Sequence, residues 1–339
     1  MKKNRSSWLY SLLKHPVRLL IHLFYRRVIV VGAEKIPATG PVILIANHQN
    51  ALMDPLVCSV LLRREINWLT RADVFRNPAA NKILRLLNML PVYRERDNTD
   101  LIGKNEQTFR DCETRLFEGR VIGLFPEGSH HGEKYLRPFR KGLARIVQRS
   151  YQKGIRNISI VPVGIDYSNY QRWKSDLVLV IGDPIDADAC IQACEDSSGA
   201  SCLKHISRQS EMALIKCMIH LPDRELYNAL LPLSGHVADE LGINGDSAWK
   251  HFESLRKLSS YSVGIHRERH EWLGISSDFT QLPVISGKAF RIRILIIGLI
   301  VLPFHILAFP FRAIVKWLAA RFTSDPQFVS TFRFSLSAV

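Results

Sequence analysis

The sequence predicts an α/β fold: a mixed, mostly buried sheet flanked by helices, preceded by an amphipathic helical segment and followed by a helical, membrane-associated region. Three observations predict it. Short runs of Val, Ile and Leu alternate with longer helical stretches between residues 27 and 185. The first 33 residues carry seven basic side chains and no acidic one. Residues 288–339 carry seven more against the single Asp325, and both ends are rich in Leu, Ile and Phe.

At the N-terminus, Trp8, Leu9, Leu12 and Leu13, then Leu20, Leu23 and Phe24, recur at helical spacing on either side of Pro16. Lys14, Arg18 and His22 lie between them. This predicts one or two amphipathic helices over residues 1–26, lying on a membrane surface. The interrupted apolar run, with no small-residue cleavage site, does not read as a secretory signal. From Arg26 the period changes. Val28–Val31, Val42–Ile45, Val121–Phe125, Ile158–Val163 and Leu177–Ile181 are almost wholly apolar, as suits strands buried on both faces. Pro55–Arg64, Ala79–Leu87, Leu101–Glu118 and Gly142–Lys153 read as the intervening helices, giving an α/β domain over 27–185. Residues 186–287 read as a helical accessory region whose first part is acidic. Residues 288–339 form a hydrophobic membrane-associated segment and tail. Within it, 294–311 is free of charge but broken by Pro303 and Pro310 and flanked by basic residues on both sides. A bent or re-entrant segment with both ends on the cytoplasmic side fits it at least as well as a simple span. The α/β domain is accordingly expected on the cytoplasmic face of a membrane.

The 339 residues are 47% hydrophobic and 23% charged, which excludes a disordered or collagen-like chain. The net charge of +15 calls for an anionic partner, and its concentration in apolar ends favours membrane lipids over nucleic acid. Six cysteines are too sparse for a disulfide framework. Cys190, Cys194 and Cys202 lack a CxxC pair and read as thiols in a reducing cytosol. His266 and His270 have helical spacing but not the HExxH arrangement, and no metal site is predicted.

Four blocks carry the chemistry. Asn47-His48-Gln49-Asn50-Ala51-Leu52-Met53-Asp54 follows the strand Val42–Ile45. A carboxylate bonded to one imidazole nitrogen leaves the other as a general base, provided that His48 sits in the strand-to-helix turn and Asp54 near the helix start. Leu90-Pro91-Val92-Tyr93-Arg94-Glu95-Arg96 is a basic strand end. Phe125-Pro126-Glu127-Gly128-Ser129-His130-His131 puts a Gly and a hydroxyl where a strand end meets ligand. Val161-Pro162-Val163-Gly164 ends an apolar strand. Between the last two, Arg137, Arg140 and Lys141 offer cations for a phosphate.

In this order the four blocks resemble the PlsC-like glycerolipid acyltransferase superfamily, over about residues 27–185. The resemblance implies His48 as catalytic base and Asp54 as its orienting partner. It implies Arg94 as a phosphate ligand, Glu127 and Gly128 as acceptor-binding residues, and Pro162 as part of a structural and acyl-pocket element. Two features depart from the commonest pattern. Five residues rather than four separate His48 from Asp54, with Asn50 two after the His. This is similar to a branch containing glycerol-3-phosphate and dihydroxyacetone-phosphate acyltransferases. Ser129-His130 also stands where the family often has Thr-Arg, which implies that one phosphate ligand is either missing or replaced by Arg137, Arg140 or Lys141.

The expected reaction moves an acyl group from acyl-CoA or acyl-carrier protein to a hydroxyl of glycerol 3-phosphate or 1-acylglycerol 3-phosphate, with no cofactor. Asn47, Asn50, Arg94, Glu127, Gly128, Ser129, Arg137 and Lys141 are the expected substrate-binding residues. The alternatives are a phospholipid-remodelling transacylase and a non-catalytic lipid-binding membrane protein.

Overall fold

The computed structural model describes residues 5–76, 88–93, 102–194, 199–223 and 242–265, with isolated positions between them. The expectations for Arg94, for the His266–His270 pair and for the segment 294–311 lie outside the described residues. Most of the helix expected over Ala79–Leu87 does too.

The chain opens with helix α1 (Arg5–Phe24), a single helix that runs through Pro16. Strands β1 (Arg27–Val31) and β2 (Val42–Ala46) follow, then helix α2 (Met53–Leu61), strand β3 (Ile66–Arg71) and strand β4 (Leu90–Val92). Helix α3 (Ile102–Phe117), strand β5 (Val121–Leu124) and helix α4 (Gly142–Gln152) lead to the long strand β6 (Ser159–Tyr167). Strands β7 (Asp176–Ile181) and β8 (Ile185–Asp186) precede helices α5 (Ala187–Gln192), α6 (Gly199–Ile215) and α7 (Ser247–Ile265).

The strands form one sheet in the order β1-β7-β6-β2-β5-β3-β4, with β8 beside β6. It is mixed, as expected: β6, β2, β5, β3 and β4 run parallel, while β7 and β8 pair antiparallel with β6. Strand β2 lies at the middle with every residue buried. Its alternate side chains serve two cores. Ile43 and Ile45 pack with Ile122, Leu124 and Ile160 under α3, α4, α5 and α6. Val42, Leu44 and Ala46 pack with Val161, Val163 and Ile165 under α2 and the end of α1, through Met53, Val57, Ile21 and Phe24. Two buried faces explain why this strand has no polar position. A smaller cluster, Val178, Ile219, Leu221, Phe252 and Leu255, seats α7 against β7.

Strand β3 was missed by the sequence reading because Asn67 breaks its apolar run. Asn67 is buried, donates to the Val121 carbonyl at 2.9 Å and accepts from Arg115 Nε at 3.0 Å. Its polar atoms are satisfied by β5 and by α3, which removes the cost of burying them. Strand β6 also runs on, past Gly164 to Tyr167. Gly164 is needed where the chain around Cys217 crosses the strand: a Cβ there would lie 1.9 Å from the Cys217 carbonyl oxygen. Cys190, Cys194 and Cys202 come together as buried thiols where α5 meets α6, with 2.6 Å between the Cys194 and Cys202 sulfurs. Among the described residues no helix is long and apolar enough to cross a membrane.

Candidate active site

Parallel strands point their C-terminal ends to one edge of a sheet, where the loops that follow can converge. Here β2, β5 and β6 deliver three segments to that edge. Asn47 closes β2 onto β6. Its amide nitrogen donates to the Ile165 carbonyl at 2.8 Å, and its amide oxygen accepts from the Ile165 N–H at 2.7 Å. The side chain thus continues the ladder like a backbone unit, and it is buried rather than facing a ligand.

His48 then sits in the strand-to-helix turn. Its backbone is held on both sides: the N–H donates to Glu127 Oε1 at 2.9 Å, and the carbonyl accepts from the His131 N–H at 2.9 Å. The ring lies flat on Phe125, centroids 4.0 Å apart and planes 13° apart. Phe125 in turn stacks on Trp68 at 4.8 Å, and Trp68 donates from its indole to Ser59 Oγ at 2.8 Å. His130 meets the His48 ring edge-on at 5.3 Å.

Asp54 lies in the first turn of α2, completely buried. Its Oδ2 is 2.8 Å from His48 Nδ1 and accepts from the backbone N–H groups of Gln49 and Asn50, each at 2.8 Å. Its Oδ1 accepts from the Tyr167 hydroxyl at 2.7 Å. The five-residue spacing works because residues 49–53 wrap around this carboxylate, with Ala51 at a positive φ of 36° to complete the turn. Four donors and the helix N-terminus compensate the buried charge. The carboxylate accepts, so the proton of the imidazole resides on Nδ1 and Nε2 keeps its lone pair. Among the described residues Nε2 has no hydrogen-bond partner, and the side chain is 15% exposed.

The surroundings keep Asp54 the sole anion on its side of the ring. Burial, reinforced by the charge of Asp54, pushes the Tyr167 hydroxyl well above its ordinary range, so it remains a donor. Tyr25 lies beside it, rings 5.8 Å apart, and is raised by the same two causes. Cys58, farther along α2, is likewise pushed well up by burial and then by Asp54. It is a neutral thiol in the core and no rival nucleophile.

The third segment is the loop after β5. The Glu127 side chain is fully buried, and both oxygens are engaged. Besides His48 N–H, it binds His131 Nε2 at 2.8 Å and Arg137 N–H at 3.1 Å, with Arg137 Nε at 3.5 Å. Glu127 therefore ties the turn that carries His48 to residues 131–137. Gly128 follows at φ 76°, and a Cβ there would come within 3.1 Å of Arg140 Cγ. Ser129 accepts from Arg137 Nη2 through both its carbonyl and its hydroxyl, the latter at 3.1 Å. Lys141 is exposed at the start of α4, beside the exposed Arg140. Asn50 is buried and donates to the Tyr170 carbonyl at 3.2 Å. Glu127→Gln is expected to lower stability by about 2 kcal/mol or more, because an amide N–H would face existing donors. A lower urea midpoint at unchanged slope would show it.

The structure thus brings His48, Asp54, Glu127, Gly128, Ser129 and Arg137 to one edge, with Asn47 and Asn50 beneath them. Sequence reasoning missed Tyr167, Phe125 and Trp68 as parts of the site. The signal for Tyr167 lay in a longer β6. Among the described residues no group of His, Cys, Asp and Glu could hold a metal ion.

Comparison with known proteins yields one family and several distant relatives. Residues 27–166 match the family model Acyltransferase. Glycerol-3-phosphate O-acyltransferase 1 of Saccharomyces cerevisiae is 22% identical over 263 residues, covering 52% of this chain and 35% of that protein. A 1-acyl-sn-glycerol-3-phosphate acyltransferase of Borreliella burgdorferi is 27% identical over 164 residues, covering 47% of this chain and 59% of the relative. The crystal structure of the 1-acyl-sn-glycerophosphate acyltransferase PlsC of Thermotoga maritima aligns at 21% identity with a TM-score of 0.43. That alignment covers 62% of this chain and 83% of that one.

Proposed function

We propose, from the Acyltransferase-family domain that spans residues 27–166, that this protein is a glycerolipid O-acyltransferase of the PlsC type. It transfers a fatty acyl group from a thioester, acyl-CoA or acyl-carrier protein, to a hydroxyl of glycerol 3-phosphate or its 1-acyl ester. The observation that carries this reading is the imidazole of His48, bonded at Nδ1 to a buried carboxylate and open at Nε2.

His48 Nε2 takes the proton of the acceptor hydroxyl as that oxygen attacks the thioester carbonyl carbon. Asp54 stabilises the imidazolium that forms. The tetrahedral intermediate then collapses, the carbon–sulfur bond breaks, and the leaving sulfur takes the proton back from His48. Positioned proton transfer of this kind contributes about 10²–10⁴ in rate. Arg137, Arg140 and Lys141, with Arg94, are the cations for the acceptor phosphate. Arg137 is the best placed, because Glu127 and Ser129 already hold its guanidinium at the rim. Gly128 gives the backbone room to approach a ligand. Asn47, Asn50 and Glu127 serve the site by fixing its turns. The protein works at a membrane surface, where α1 presents a basic, half-apolar face.

The test is an acceptor panel: radiolabelled acyl-CoA with glycerol 3-phosphate, 1-acylglycerol 3-phosphate or dihydroxyacetone phosphate, scored for both free CoA and labelled lipid. Stoichiometric CoA and acylated product with one acceptor is the expected result. Acylated product that forms only when a phospholipid is added as donor, with no CoA released, or no product with any acceptor from either acyl-CoA or acyl-carrier protein, overturns the proposal.

A further inference from the structure

Residues 168–175 join β6 to β7, and they touch two places at once. At one end the Tyr170 carbonyl accepts from Asn50 in the catalytic turn, and the Tyr170 ring lies so close over Gly132 that a Cβ there would meet it at 2.6 Å. At the other end the loop grips the end of α1: Lys174 N–H donates to the Phe24 carbonyl at 2.9 Å, and the Trp173 indole to the Leu23 carbonyl at 3.4 Å. Lys174 adopts φ 59°, an uncommon conformation for a residue with a side chain. This turn leaves the Trp173 ring 44% exposed, beside Leu23 at 54% and Leu19, one turn back on the same helix face, at 62%.

The charges around this patch are mostly positive, and the carboxylate bonded to Arg26, Asp176, is itself buried. Residues 14–26 and 168–175 contain Lys14, Arg18, Arg26, Arg172 and Lys174, and no acidic residue. Exposed aliphatic side chains, an indole and a cationic fringe match the boundary between headgroups and acyl chains of an anionic leaflet. They do not match the chain's own apolar segment 294–311, whose flanks carry Arg291, Arg293, Arg312, Lys316 and Arg321. Nor do they match a second copy, which would oppose like charges.

We propose that the 168–175 loop is a second membrane contact beside α1. Trp173 inserts at the headgroup boundary, Lys174 and Arg172 pair with lipid phosphates, and the loop sets the angle at which the catalytic edge meets the leaflet. That last role rests on the acyltransferase reading; the contact itself does not.

All six native cysteines are buried, so a Trp173→Cys variant of the full chain takes an environment-sensitive fluorophore at that position alone. Phosphatidylcholine vesicles containing about one-third phosphatidylglycerol should raise its emission about twofold or more, with a blue shift, and pure phosphatidylcholine should do less. The same label on a Phe117→Cys variant, at an 80% exposed position on α3, should not respond. Lys174→Glu combined with Arg172→Glu should weaken the response at position 173. An unchanged signal at 173, as an acidic protein partner would give, or an equal change at 117, overturns the proposal. The response should persist in a His48→Ala background. A positive vesicle signal with a failed acceptor panel therefore rejects the enzyme and keeps the surface, and the reverse result does the opposite.

Discussion

Replacing His48 with alanine is expected to lower acyl transfer by about 10²–10⁴-fold while leaving the urea midpoint and vesicle binding close to wild type. The loss should appear in kcat rather than KM, because the imidazole acts on the proton that moves and not on the phosphate that anchors the acceptor. The fold should survive. His48 is tied into the structure by its backbone, through Glu127 and His131, and those bonds do not need the ring. The substitution does open space beside Phe125, but on a partly exposed side where water can enter. Turnover within a few-fold of wild type would remove His48 from the mechanism.

Asp54→Asn is expected to be as damaging to turnover and far worse for the fold. The carboxylate accepts from His48, two backbone N–H groups and the Tyr167 hydroxyl. An amide of the same shape brings two donors into a ring of donors. At least one buried group then loses its partner, at a cost of about 1–3 kcal/mol each, and more because the helix N-terminus also loses its anion. If the amide oxygen stays at the Oδ2 position, its nitrogen faces the Tyr167 hydroxyl; if the amide flips, the nitrogen faces the two backbone N–H groups and the imidazole. Facing the imidazole reverses the tautomer and places the proton on Nε2, where no base remains. The expected outcome is a drop of about 10³-fold in kcat with a clearly lowered urea midpoint. A Tyr167→Phe chain separates the two effects, since it leaves the imidazole bond intact and removes only the donor to Oδ1. Near-wild-type kcat in Asp54→Asn would mean that the dyad is structural.

Much of this was legible in the sequence, for physical reasons that particular residues make clear. Strands β2, β5 and β7 were visible because a strand buried on both faces has nowhere to put a polar group. Strand β3 was not, because Asn67 finds its partners on β5 and on α3, which no pattern of apolar residues announces. Of the expected one or two N-terminal helices the chain forms one, α1, which runs through Pro16: the proline removes one backbone donor, and its ring is exposed at the helix surface. The pairing of His48 with Asp54 was readable from their positions around a strand end. The role of Glu127 was not. A carboxylate beside Gly and Ser at a strand end looks like a ligand-binding group. Whether it faces outward or inward depends on His131 and Arg137, which arrive from farther along the chain. Tyr167 escaped because Gly164 and Asp166 resemble the end of a strand, while β6 continues beneath them.

The way Asp54 is held has a consequence for anyone designing compounds against this protein. Both oxygens of that carboxylate already serve the polypeptide, and solvent does not reach it. An amine or guanidine warhead aimed at it would have to tear out a bond without forming a better one. Potency has to come instead from the outward nitrogen of the imidazole and from the cationic lip, so anionic carbonyl mimics are the natural starting scaffolds and basic ones are not.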